Sequence, residues 1–212
     1  MAFISQKEIE ERVNRNQLFE RDTYSEKCFS TSGASYDLRL GEEVFVTPET
    51  EPKQLSKNQT LNIEPGQFAA LTTEEYIKMP NDLIGFITIR FRYKSKGLVN
   101  ISGFHVDPGW EGKLIFSVYN VGPSTISLRQ GEKVFSIFFA TIHPETSYKR
   151  GEFSEQKRIP LSIIESLAGA RAPSLQKLED QVKTNWTYIK IYGGIIIGLL
   201  ITVVVALLTK GS

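Results

Sequence analysis

The stretch Gly103-Phe-His-Val-Asp-Pro-Gly-Trp-Glu-Gly-Lys-Leu-Ile-Phe-Ser-Val-Tyr-Asn-Val-Gly122 joins two strand-like runs across a tight turn. The runs, Gly97 to Val106 and Lys113 to Asn120, are rich in β-branched and aromatic residues, Asp107-Pro-Gly supplies the turn, and Val121-Gly-Pro ends the second. The pattern recurs outward: Tyr36 to Val46, Gln67 to Thr72, Leu83 to Arg92, Ser124 to Leu128 and Lys133 to Ala140 read as strands, broken at Glu64-Pro-Gly, Pro80-Asn-Asp and Gln130-Gly. Short strands at this spacing predict a mainly β domain, a sandwich or barrel with mostly antiparallel pairing. A short helix precedes them, where Ser5 and Glu8 form a capping box and Ile4 can staple onto Ile9.

Downstream the composition changes. From about Ser147 to Lys190 runs a polar connector, with a short helix over Leu161 to Ala168 after Pro160 and a break at Arg171-Ala-Pro. Leu175, Leu178, Val182, Asn185 and Ile189 fall on a heptad seam, which suits either a coiled coil or a simple amphipathic stalk. Ile191 to Leu208 then carries no charge, and as a helix it spans roughly 27 Å at 1.5 Å per residue, close to a bilayer's hydrocarbon core. A buried core helix, the alternative, would show a polar stripe that this run lacks. Ile191, Gly194, Leu199, Val204 and Leu208 are therefore assigned to a single transmembrane helix, with Trp186, Tyr188 and Tyr192 at one interface. The organisation expected is a head over residues 1–157, a helical connector and stalk over 158–190 and a span over 191–208.

Arg171, Lys177, Lys183 and Lys190 precede the span and only Lys210 follows it, so the head is expected on the cytoplasmic side. The opening MAFISQKEIEERV has no apolar export segment, and the single cysteine, Cys28, cannot form an intrachain disulfide, both of which agree with a reducing compartment. Near-balance of 25 basic and 24 acidic residues argues against a general nucleic-acid binder. One cysteine and two separated histidines, His105 and His143, cannot build the ligand set of a zinc nucleotide deaminase. No phosphate-binding glycine loop and no serine-nucleophile elbow is present.

Several segments in order resemble the dCTP deaminase branch of the trimeric dUTPase superfamily, over residues 4 to about 157. Ile4-Ser-Gln-Lys-Glu-Ile resembles the family's opening helix and Gly33-Ala-Ser-Tyr-Asp-Leu-Arg-Leu-Gly41 its first signature. Ile63-Glu-Pro-Gly-Gln-Phe and Met79-Pro-Asn-Asp-Leu-Ile-Gly85 are similar to its central strands. His105-Val-Asp-Pro-Gly-Trp-Glu-Gly112 and Leu128-Arg-Gln-Gly-Glu-Lys-Val-Phe135 match two later motifs, while Tyr148 and Gln156 resemble a remnant of the nucleotide-closing tail. The resemblance implies a distorted dUTPase-like β-barrel that forms a homotrimer, with sites between subunits for deoxypyrimidine triphosphates. It also implies zinc-free deamination of dCTP, pyrophosphohydrolysis of dUTP, or both.

The departures from that pattern carry the functional reading. Ser117 stands where the deaminases carry the glutamate that activates water, and a missing general base commonly costs about 100-fold to 10,000-fold in rate. Glu111 reads as part of the turn and is no substitute, and His105 replaces an arginine. The phosphate signature is altered to Arg90-Phe-Arg-Tyr-Lys-Ser-Lys-Gly-Leu98, yet Arg90, Arg92, Lys94 and Lys96 recur every second residue. If extended, they form one basic face that suits either an anion or a solvated edge strand. By resemblance Asp107 would orient a hydrolytic water in a dUTPase-like reaction and Trp110 would stack on deoxyribose, although turn capping and core filling explain the same residues.

The expected ligand contacts are therefore Arg90, Arg92, Lys94, Lys96, Asp107, Trp110 and Gln156. No cofactor is assigned, apart from magnesium if a triphosphate is bound or hydrolysed. The first reading is a membrane-anchored trimer that has lost deamination and acts as a nucleotide-binding sensor, membrane effector or interaction module. The alternatives are an active membrane-bound dUTPase, nucleotide pyrophosphatase or divergent dCTP deaminase, and a structural trimeric scaffold. Ending the chain at Arg171 should leave a soluble, folded head while the full chain partitions into membranes; a truncated head that sediments with membranes in high salt would refute the division.

Overall fold

The structure is a computed structural model that describes residues 2–30, 33–143, 156–168 and 175–210. The chain divides into two units, Met1–Ala172 and Pro173–Ser212.

The first unit opens with α1 (Gln6–Asn14), capped by the Ser5 side chain, which accepts from the Glu8 N–H. The strands are β1 (Leu18–Phe19), β2 (Tyr36–Val46), β3 (Lys53–Gln54), β4 (Thr60–Ile63), β5 (Phe68–Lys78), β6 (Leu83–Ile89), β7 (Leu98–Asn100), β8 (His105–Val106), β9 (Glu111–Asn120), β10 (Ile126–Arg129) and β11 (Lys133–Thr141). A helical turn, α2 (Phe91–Lys94), follows β6, and α3 (Leu161–Ala168) closes the unit. The main sheet runs β7-β9-β5-β2-β11-β6-β8, with β1 and β3 attached to β5 and β2, while β10 pairs with β4. All its pairings are antiparallel.

The sheet curls on itself. Phe116 of β9 and Phe135 of β11 stack at 3.6 Å between ring centroids and 12° between planes, although β5 and β2 lie between their strands. The bending has a local origin, because the β2–β5 register shifts between Leu40 and Val44 and the β5–β9 register shifts between Thr72 and Tyr76. At this double irregularity Gly41 is obligatory, since a Cβ there would lie 2.6 Å from the Thr73 carbonyl oxygen.

The irregularity turns Glu75 inward. Its fully buried carboxylate accepts from the Arg39 Nε–H at 2.7 Å, the Arg39 backbone N–H at 2.9 Å and the Tyr36 hydroxyl at 3.1 Å. Burial pushes the Glu75 carboxyl up, opposed by the Arg39 charge and hydrogen bonds. Burial pulls Arg39 down, but the charge and hydrogen bond of Glu75 outweigh it and raise the guanidinium overall. Burial also raises the nearby Tyr36 hydroxyl and Cys28 thiol, so Cys28 carries little of the reactive thiolate.

Two sequence expectations are corrected. The run Leu83 to Arg92 stops as a strand at Ile89, because Tyr93 is drawn into the core at 1% exposure and the chain turns to put it there. The run Gly97 to Val106 is split into β7 and β8 by Asn100, whose side chain accepts from the Ser102 N–H and donates to the Gly103 carbonyl. β5 runs on to Lys78, and the short strands β1, β3 and β4 carry too few residues to show a period.

The second unit is one continuous helix, α4 (Leu175–Lys210). It contains Asp180–Thr209, long and apolar enough to cross a membrane at a mean hydropathy of 2.7, with none of its most apolar window buried. Leu178, Val182 and Ile189 of the seam are exposed, as are Trp186, Ile191, Leu199, Val204 and Leu208. Arg171 and Tyr148 lie outside the described residues.

Removing one member of a buried ion pair typically costs about 3–5 kcal/mol, because the other is left uncompensated. Glu75→Ala should therefore lower unfolding free energy by that order in denaturant titration, whereas Arg39→Met with Glu75→Leu should recover much of it.

Candidate functional site

The Asp107-Pro-Gly-Trp turn is held at both ends. The Trp110 N–H donates to the Asp107 carbonyl at 3.2 Å, and the Met79 N–H, just beyond β5, donates to the Trp110 carbonyl at 2.8 Å. The Trp110 ring packs against the main core, and its buried indole N–H makes no hydrogen bond. His105 and Asp107 project near one another, with Nε2 to Oδ1 at 3.4 Å and both side chains partly exposed. They attract as charges only when the imidazole is protonated.

Beside this turn lies a cavity of about 420 Å³, within the range of small-molecule sites. His105, Asp107, Trp110, Lys113, Gln156 and Ile163 are among its walls. Three of the expected contacts, Asp107, Trp110 and Gln156, are therefore brought together from separate segments. Gln156 reaches the cavity because it pairs beside Gly112, and the Lys113 N–H donates to the Gln156 carbonyl at 2.7 Å. Gly112 has a φ of +147°, and a Cβ there would meet the Gln156 nitrogen at 2.9 Å.

Burial alternates along β9, which puts Lys113, Ile115 and Ser117 on the face away from the main core. Ser117 stands opposite Ala70 of β5, and the β9 residues that wall the cavity end at Phe116. Glu111, read as a turn residue, in fact opens β9, yet it does not wall the cavity either. Among the described residues Asp107 is the one carboxylate at those walls.

The basic residues do not form the extended face that alternation predicted. The Tyr93 and Lys94 N–H groups both donate to the Arg90 carbonyl, and helical periodicity then splays the side chains apart. Arg90 ion-pairs with buried Asp37 at 3.3 Å, and the same carboxylate accepts from the Ser136 hydroxyl at 2.7 Å. Arg92 pairs with Glu132 at 3.2 Å, and the Lys94 ammonium donates to the Thr88 hydroxyl at 3.0 Å. Arg92, Lys94 and Lys96 are exposed, and none of the four walls the cavity. Among the described residues no three His, Cys, Asp or Glu side chains converge to cage a metal.

Sequence reasoning missed Lys113 and Ile163. The first was hidden in the strand alternation; the second sits in the expected short helix, whose landing place no local pattern encodes.

Residues 3–142 match the family described as dCTP deaminase-like. The chain is 32% identical over 142 residues to the dCTP deaminase of Pyrococcus furiosus, covering 66% of this chain and 88% of that protein. It is also 32% identical over 161 residues to a probable deoxyuridine 5'-triphosphate nucleotidohydrolase of Sulfolobus islandicus rod-shaped virus 1, covering 75% and 97%. Among solved structures, the 2'-deoxycytidine 5'-triphosphate deaminase of Agrobacterium tumefaciens is similar in fold, with a TM-score of 0.57 at 16% identity. That likeness covers 66% of this chain and 48%, about half, of the other.

Gly112→Ala should strain the backbone and push Gln156 away, costing about 1–3 kcal/mol. The expected readouts are a lower melting temperature and faster proteolysis between residues 150 and 160.

Proposed function

Because this chain belongs to the dCTP deaminase-like family, we propose that its head binds a deoxypyrimidine triphosphate, or a ligand of the same phosphorylated-sugar chemistry, without deaminating it, as the sensing or interaction module of a membrane-anchored protein. The observation that carries the reading is the cavity beside Asp107 and Trp110 combined with Ser117 on the neighbouring strand. Deamination adds water at the base's C4 and moves its proton to the departing amine. That step needs an acceptor of suitable basicity, which a serine hydroxyl near neutral pH is not. The relatives named dCTP deaminase and deoxyuridine triphosphate nucleotidohydrolase support the ligand class.

The head spans residues 1–157, the connector and stalk 158–190 and the span 191–208, with the head on the cytoplasmic side as the flanking lysines favour. The functional form is a homotrimer. In it the basic turn of Arg90, Arg92, Lys94 and Lys96 from one copy would approach the cavity of the next and meet the phosphates there, while Asp107, Trp110 and Gln156 hold the sugar and base. Magnesium would come bound to the phosphates, since the described residues offer no cage of their own. Gly194 and its neighbour Gly193 would let the three spans pack closely.

A second reading, a membrane-bound dUTPase, is favoured by the partly exposed Asp107 at the cavity. Full-length protein in detergent, incubated with dCTP, should form no dUTP above background while dCTP or dUTP raises its melting temperature. Robust dUTP formation would overturn the loss of deamination. Pyrophosphate release from dUTP that disappears in Asp107→Ala would establish the second reading, and a nucleotide panel without any thermal shift would leave a scaffold. Light scattering should give three chains per particle, and a monomer at micromolar concentration would remove the intersubunit site.

A further inference from the structure

Along α4, Leu178, Val182, Asn185 and Ile189 recur at alternating steps of four and three residues, the spacing that keeps side chains on one stripe of a helix. Leu178, Val182 and Ile189 are exposed. The helix runs on from this segment without interruption, and the same alternation leads to Tyr192, Ile196 and Leu199. The charged residues within Asp180–Thr209, which are Asp180, Lys183 and Lys190, all lie off the stripe.

Asn185 is the one polar member. Its polar neighbours are engaged within the helix: the Thr184 hydroxyl donates to the Asp180 carbonyl at 2.8 Å and the Thr187 hydroxyl to the Lys183 carbonyl at 3.0 Å. The Asn185 side chain makes no such bond among the described residues, although its amide offers both donors and an acceptor. Covered by an apolar surface, an amide like this costs free energy unless it is paired. A second Asn185 facing it supplies the complementary donor and acceptor.

A helix that crosses a membrane also decides what reaches the stripe. Flanking charges give every copy the same direction, so the stripes of neighbouring copies run parallel at one height, with Asn185 level with Asn185. A closed ring of copies about an axis normal to the bilayer is the symmetry that suits this arrangement.

We propose that α4 is a self-recognition helix: the seam from Leu178 to Ile189 packs against the same seam of another copy of this chain, and Asn185 hydrogen-bonds to its counterpart across the interface. A lone polar layer in an otherwise apolar seam fixes register. This rests on the reading of α4 as the anchor of a homotrimer, and names the surface that the anchors use to recognise one another. The seam lies beyond residues 3–142, the part matched to the family.

The test is oxidative cross-linking of the full chain in phosphatidylcholine vesicles, with one new cysteine at a time. Cys28 is buried, so the parent chain supplies the blank. Leu178→Cys, Val182→Cys and Ile189→Cys should cross-link about tenfold faster than Lys183→Cys, Thr187→Cys and Lys190→Cys, because a disulfide needs Cα atoms within about 7 Å. Asn185→Asp sets like charges against one another inside the seam and should slow cross-linking of Val182→Cys by about tenfold or more. Thr187→Asp, off the stripe, should leave that rate unchanged. Flotation with the vesicles, and light scattering after detergent extraction, report on anchoring and assembly in the same samples. If the chain floats and is multimeric but the stripe positions cross-link no faster than the others, or Asn185→Asp has no effect, the seam is wrong and the anchored homotrimer stands. If the chain stays out of the vesicles or is monomeric, both fall.

Discussion

The buried Arg39–Glu75 pair sets the shape of the head. Both residues sit in strands at the middle of the sheet, where consecutive register shifts would otherwise leave backbone and side chain polar groups without partners. Glu75 answers that problem by accepting from the side chain and backbone of Arg39 and from Tyr36. The shifts bend the sheet, and the bend lets Phe116 meet Phe135 across it. An ion pair in this position contributes more through the geometry it imposes than through net stability, because burial offsets much of the Coulombic attraction.

The cavity follows from the same bend. β9 leaves the curled region with its alternation intact, so Phe116 enters the main core while Ile115 and Lys113 look the other way. Met79, just past the end of β5, then fixes the Trp110 turn, and Gly112 makes room for Gln156. The result is a site whose described walls set Asp107, His105, Lys113 and Gln156 among mostly apolar residues. Ile163 of α3 adds one more wall.

The basic segment shows how one buried ring can override a charge pattern. Read as a strand, Arg90 to Lys96 aligns four cations on one face. Phe91 and Tyr93 would then share the other face, yet Tyr93 is buried and Phe91 is 81% exposed. Only a change of period separates two residues placed two apart, and the helical turn makes that change. The cations then find separate partners: Asp37 and Glu132 from distant parts of the chain, and Thr88 from the strand just before the turn.

What the sequence determined alone was whatever depends on neighbours along the chain. The strand period over Tyr36 to Val46 and Lys113 to Asn120, the Ser5 cap, the helix over Leu161 to Ala168 and the uncharged run from Ile191 all rest on local spacing and composition, and the structure has elements there. The ordered motifs from Gly33 to Phe135 likewise carried the family. Tertiary structure decided what depends on which surfaces meet: the curl of the sheet, the inward turn of Glu75, the dispersal of the basic stripe, and the docking of Ile164 and Leu167 over Ala70. These contacts join residues far apart in sequence, and their energy comes from burial and pairing across the fold, which no local pattern records.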